Sequence, residues 1–406
     1  MKKTLWTRNY SLLILATVLG SVGGIAGGFA LSFLVYDETG STLASALILA
    51  IKLVPHFLIP LVAAPWMDRL PRKPFLVAGD AVNGLMYLLA GAYLLRFPFS
   101  YPGYLCFSLL LASLQSFDAL AYNSIYPKLI PEGMEQKGYT VSSMLYPVVH
   151  VVMMPAAAVL MEWLGVARIL LLQGVLSLLA ALTESFIHIQ EESRMAGQCF
   201  SFRLWLGDLR EAAAYLKKER GLRSIYHYMA VTNAVAEGYG PLLVAFFRVT
   251  AGFTTAMYSL FSVAEFIGRT LGGLLQYHVE IPKKKRFAFT FWVYQIYEAM
   301  DMCLLWLPYP AMLCNRALCG FLGVNSATLR QAAVHRYIPD HLRARLNAYQ
   351  NMLVQGCAAV LTILIGAMGE FWDYRLCMTL CGGVTMAVCW ALIWFRRSHV
   401  RRVYER

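Results

Sequence analysis

The chain has 406 residues, of which 59% are hydrophobic and only 14% charged, with 13% aromatic and a formal charge of +12. Soluble globular domains run near 45–50% apolar and about 25% charged, and mean hydropathy here is +0.55. This balance excludes a disordered chain, a disulfide-built secreted domain and a soluble enzyme on a single anchor. The apolar residues fall in long runs with almost no charge, such as 12–35 and 353–369. A bilayer-crossing helix needs about 20 such residues.

In chain order, apolar windows predict twelve spans near 10–35, 43–66, 75–95, 102–126, 140–162 and 167–189, then 224–249, 254–277, 287–307, 310–331, 344–368 and 372–395. The first, following Lys2 and Lys3, is too long for a cleaved signal and is expected to be retained. The fold class expected is all-α integral membrane, as two six-helix bundles: 1–189 and 224–395. Between them, 190–223 is a cytoplasmic linker, and 396–406 is a basic cytoplasmic tail. Phe202, Leu204, Trp205, Leu209, Ala212 and Leu216 recur at helical spacing against Arg203, Arg210, Lys217 and Lys218 in the linker. This predicts an amphipathic basic helix on the membrane surface.

Landmarks repeat between the halves. Leu129-Ile130-Pro131-Glu132 closes span four and Tyr337-Ile338-Pro339-Asp340 follows span ten. Pro71-Arg72-Lys73-Pro74-Phe75 follows span two, and Pro282-Lys283-Lys284-Lys285-Arg286-Phe287 follows span eight. Duplicated bundles are how many secondary transporters are built, with substrate bound between repeats. Most Lys and Arg residues fall in alternate loops and both tails, the positive-inside bias. Both termini are therefore expected in the cytoplasm, in a multi-pass protein of the cell membrane. The positive charge reads as a map of sides, with anionic headgroups as its neighbours and no nucleic acid as partner.

The nine cysteines contain no C-x-x-C pair and the eight histidines no H-x-x-x-H spacing, so neither a metal nor a cofactor is expected. No P-loop or catalytic constellation appears, and an enzyme is not expected. Ionisable groups inside a bilayer cost about 2.5–3.5 kcal/mol each on insertion scales, so each needs a partner or a wet cavity. Lys52, Asp118, His150, Glu237, Glu265 and Glu298 fall near span midpoints. A buried carboxylate that takes up and releases a proton as its surroundings change side meets the physical requirement for proton coupling. Structural readings compete. Glu265 and Arg269 have intrahelical ion-pair spacing, and Asp301 and Arg316 sit at matching depth on adjacent antiparallel spans. Glu184, near a cytoplasmic end, is expected to snorkel, and the acceptor for Lys52 is not evident.

Met67-Asp68-Arg69-Leu70-Pro71-Arg72-Lys73-Pro74 resembles the loop 2–3 signature of the major facilitator superfamily. Arg8-Asn9-Tyr10, Thr39-Gly40-Ser41, Asp80, the Leu129–Glu132 stretch and Ile338-Pro339-Asp340-His341-Leu342-Arg343-Ala344-Arg345 resemble its enterobactin-exporter and macrolide-efflux branch. Departures are Ala64 and Pro71 where the signature has glycines, Pro155-Ala156-Ala157-Ala158 in span five, and Gly24 in place of an acidic residue in span one.

The resemblance implies that Asp68, Arg69, Arg72, Lys73 and Asp80 form a conformational brace. It implies that spans one, four, seven and ten line a central cavity. Asp118 and Glu237 are then the leading proton or substrate residues, with His150 and Glu265 on the helices between halves. Phe117, Tyr122, Asn123, Asn233, Tyr239 and Asn315 would line the cavity, suiting a bulky amphipathic solute. The leading expectation is a monomeric secondary transporter for proton-coupled efflux of a small amphipathic organic molecule. The alternatives are a non-transporting membrane sensor or adaptor of the same fold, with the basic linker helix as its output surface, and a lysophospholipid flippase.

Overall fold

The computed structural model of the chain describes residues 4–67, 71–189, 202–278 and 281–405; Asp68 and Arg69 of the expected brace lie outside them. The described residues fold almost entirely as helix. They are α1 (Arg8–Thr39), α2 (Thr42–Met67), α3 (Lys73–Arg96), α4 (Tyr101–Leu129) and α5 (Glu135–Ser185). There follow α6 (Phe202–Lys218), α7 (Arg220–Val249), α8 (Thr255–His278), α9 (Lys283–Cys303), α10 (Tyr309–Tyr337), α11 (Asp340–Phe371), α12 (Tyr374–Cys389) and α13 (Arg397–Glu405). Helix α5 consists of two limbs, 135–164 and 166–185, broken at Gly165, whose φ of 74° takes it out of the helical region. With no Cβ, glycine enters that region without the steric cost other residues meet.

Eight of the described helices are long and apolar enough to cross a membrane, the two limbs of α5 counting as one. Helices α8, α9 and α10, of 24, 21 and 29 residues, have spanning length but carry more polar side chains. In hydrocarbon every backbone polar group must be satisfied within the segment, which helices achieve alone. Helix ends are closed locally: Thr7 Oγ1 accepts from Tyr10 N at 3.3 Å, and Gly40, at φ 61°, donates its N–H to Tyr36 O to end α1.

The chain divides into two compact units, residues 1–40 with 51–199, and 41–50 with 200–406. The first ten residues of this boundary, Ser41–Ala50, were expected with the N-terminal bundle; they count with the second unit because α11 holds them. Glu370 at the end of α11 accepts from Ser41 Oγ at 2.7 Å, Thr42 Oγ1 at 3.0 Å and Leu43 N at 2.8 Å, capping the start of α2. Gly366 O accepts from Thr42 Oγ1 at 2.8 Å.

Small residues set the spacing within the first unit. Gly84 of α3 lies against Gly174 and Leu178 of the second α5 limb, and Gly91 against Ala167 and Leu171. The same antiparallel seam continues with Ser177 Oγ donating to Asp80 O at 3.0 Å and Lys73 Nζ donating to Ser185 O at 2.7 Å. Gly23 and Gly27 of α1 face Gln173, whose side chain occupies the space a Gly27 side chain would need. Because lipid is as apolar as leucine, such close packing rather than hydrophobicity holds membrane helices together. In the second unit Gly268 of α8 packs on the Ala317 carbonyl of α10, and Gly320 on that of Glu265.

Residues 397–405, expected as a tail, form α13, whose Val400, Val403 and Tyr404 are buried. They join a core with Tyr226, Tyr228, Phe287 and Phe291, and Tyr404 OH stands 3.2 Å from Tyr294 OH. Helix α6 covers the expected amphipathic segment. Leu216 is buried in the same core, and Glu211 pairs with Arg345 of α11.

Candidate functional site

In the first unit three acids, Glu184 buried and Asp80 and Asp118 half-buried, lie on neighbouring helices. Asp118 Oδ1 lies 3.4 Å from where a Gly79 side chain would begin, on the α3 turn that carries Asp80. Glu184 lies on the α5 limb that packs along this helix, between Ser177, which meets the Asp80 carbonyl, and Ser185, which meets Lys73. Glu184 is only 3% exposed. It does not snorkel: the α3–α5 seam draws the limb end inward, and Lys73 is committed to the Ser185 carbonyl. Asp118 Oδ1 and Glu184 Oε2 are buried without a hydrogen-bond partner, and none of the three carboxylates has an ion pair among the described residues. Carboxylates removed from water in this way, with no compensating cation among the described residues, carry an electrostatic cost that a bound proton or cation removes. Arg72 lies at the entrance to α3, one residue before its first turn.

The remaining first-unit residues are placed separately. The Lys52 ammonium stands over the Tyr104 ring, 5.9 Å from its centroid, a cation–π contact. That ring is the acceptor the sequence does not name. One turn on from Lys52, His56 Nδ1 is 3.1 Å from Ser116 Oγ of α4. His150, on the first α5 limb, lies beside the Tyr146 ring, with centroids 5.7 Å apart. Phe117 and Asn123 are exposed on α4, while Tyr122 stacks on Tyr126 at 5.4 Å.

The second unit contains a different arrangement, satisfied rather than bare. Glu298 of α9 is 2% exposed, and its carboxylate accepts from Thr232 Oγ1 at 2.9 Å, Tyr228 OH at 3.4 Å and Thr385 Oγ1. Helices α7 and α12 supply these donors. One turn along α9, Asp301 is 3% exposed and pairs with Arg316 of α10. Asn315 Oδ1 and Cys319 Sγ flank the guanidinium at 3.4 and 3.8 Å, while Arg316 Nε is buried without a partner. Glu265 Oε1 and Arg269 Nη2 are 2.8 Å apart on the more exposed face of α8.

Tyr239 and Asn315, expected to line a cavity, are buried inside this unit. The Tyr239 hydroxyl has no partner, and Asn315 Nδ2 donates to Met300 O at 2.9 Å. Glu237 is exposed on α7, and Asn233 Nδ2 donates back to Met229 O at 2.7 Å. Among the described residues no group of three His, Cys, Asp or Glu side chains is placed to hold a metal ion.

Sequence reasoning missed two features. The hydroxyl cage of Glu298 is one, though Glu298 and Asp301, three apart on α9, share a face. Membership of Glu184 in the acidic group is the other. Its signal is the position of Glu184 beside Ser185, which faces Lys73 seven residues before Asp80.

The fold is all-α, with described helices long and apolar enough to cross a membrane, and solved transporter structures share it. No protein-family model matches the sequence, and no curated protein sequence matches it. Among solved structures, the nucleoside transporter NupG is similar with a TM-score of 0.74 and 12% identity, over 96% of this chain and 100% of that one. A bacterial homologue of the human lysosomal transporter Spinster gives 0.66 and 14%, over 99% and 95%. A POT family transporter in complex with a thioalcohol-conjugated peptide gives 0.70 and 10%, over 97% and 96%.

Proposed function

We propose that the chain is a secondary active transporter that works by alternating access and exports a small amphipathic organic molecule in exchange for protons. It acts as a monomer in the cell membrane, with both termini in the cytoplasm. The observation that carries the reading is the Asp80, Asp118 and Glu184 group: one buried and two half-buried carboxylates with no cation partner among the described residues, two of them with an oxygen that is buried and unpaired. Intramembrane ionisable groups of this kind mark ion and proton pathways. The fold supports it, because proteins named as nucleoside and peptide transporters share it. Asp118 is the coupling residue, Asp80 and Glu184 tune it, and the exposed Glu237 is a second proton or substrate contact.

Proteoliposomes with an imposed pH gradient test this. A panel of amphipathic cations, zwitterions and neutral solutes should include at least one that moves with the gradient, and Asp118→Asn should abolish the gradient dependence. No gradient-driven flux for any solute, together with Asp118→Asn and Glu237→Gln behaving as wild type, overturns proton coupling.

A further inference from the structure

The first unit holds a cavity of about 940 Å³, at the end of α3 opposite Lys73. It lies between Leu31 and Leu34 of α1, the last turns of α3, the first turns of α4 and Leu170. Small-molecule pockets run about 300–1,000 Å³, so this one is large for a space within a single helical unit. Leu89, Tyr93 and Leu110 belong to its wall and are exposed, so it opens to the surface of the membrane-spanning helices.

The wall is apolar except at one end. There Arg96 is the one charged side chain of the lining, which includes no acidic residue. Ser100 is next to it at the N-cap of α4, and its hydroxyl makes no cap hydrogen bond. Gly103 and Tyr104 of the first turn also border the cavity, so the electropositive start of a 29-residue helix faces the same end. Behind the Tyr104 ring stands the Lys52 ammonium. A guanidinium fork, a spare hydroxyl and a helix N-terminus together match a phosphate.

We propose that this cavity holds one acyl chain of an anionic phospholipid of the surrounding bilayer, with its phosphate on Arg96 and Ser100. An acyl chain gains little by leaving bilayer hydrocarbon for an apolar groove. Selection therefore rests on the charged end, and it favours anionic over zwitterionic lipid. The site is separate from the carboxylate group and does not depend on the transport reading.

The protein in nanodiscs would be given photoactivatable phosphatidylglycerol or phosphatidylcholine at equal mole fraction, and cross-links mapped by peptide. The phosphatidylglycerol probe should label the 86–110 region about fivefold more than the phosphatidylcholine probe, the ratio one arginine near a headgroup supplies. It should also protect Cys106, an exposed residue of the lining, from a membrane-permeant maleimide. Arg96→Gln should remove the preference, and Arg96→Lys should keep part of it. Gly103→Phe places a ring in the cavity, since a side chain there meets only Ser100; it should abolish labelling of 86–110 while thermal unfolding confirms the fold. Equal labelling by the two probes, an unchanged preference in Arg96→Gln, or oleate competing as well as phosphatidylglycerol would each overturn the assignment.

Discussion

Replacing Asp301 by leucine strands the Arg316 guanidinium inside the second unit. Asp301 is 3% and Arg316 9% exposed, and Arg316 Nε already lacks a partner. After the change the remaining contacts are Asn315 Oδ1 at 3.4 Å and Cys319 Sγ at 3.8 Å, both too long and too weakly polar to replace a carboxylate. Breaking a buried pair by removing one partner costs about 3–5 kcal/mol, whereas replacing both by apolar groups of similar volume is often neutral. Asp301→Leu is therefore expected to lose about 3–5 kcal/mol, and the double variant Asp301→Leu/Arg316→Met to recover most of it. Equilibrium unfolding of the reconstituted protein in mixed micelles measures both. A single variant within about 1 kcal/mol of wild type, or a double variant no better than the single, would refute the claim that the charge is uncompensated without Asp301.

Three further outcomes follow from local geometry. Gly165→Ala forces a side chain into φ 74° and should lower stability by about 1–3 kcal/mol, read as a lower thermal midpoint; an unchanged midpoint contradicts the strained corner. Glu370→Ala removes the acceptor of three donors at the start of α2 and should cost about 0.5–2 kcal/mol, the range for a lost helix cap. Backbone exchange at Leu43 should rise with it, and unaltered protection there would count against the cap. Gly268→Val drives a side chain into the Ala317 carbonyl and should reduce the folded yield sharply, while Gly273→Val on the same helix, with open space beside it, should be tolerated.

The helices were legible because hydrocarbon demands long apolar runs, and those runs are visible residue by residue. The ion pairs were legible for a related reason. Glu265 and Arg269 are one turn apart on one helix, and Asp301 and Arg316 sit at equal depth on neighbours joined by a short connection. Glu298 was visible as a charge in a span, but its partners come from α7 and α12, far away in sequence and unmarked by any spacing. By position alone Glu184 is a helix-end residue able to reach water. The glycine seam between α3 and the second α5 limb instead draws its carboxylate inward.

The opening composition therefore determined the class of molecule: a mostly apolar chain, divided by charged loops, has to span a bilayer, and its positive charge follows the loops. Periodicity and depth, which are local quantities, carried that much. Which acids lie along one helix seam, which are caged by hydroxyls, and where an apolar cavity ends in an arginine were decided by tertiary structure. Such facts depend on rotation about helix axes and on close approach at glycines, and a one-dimensional pattern does not encode either across distant helices.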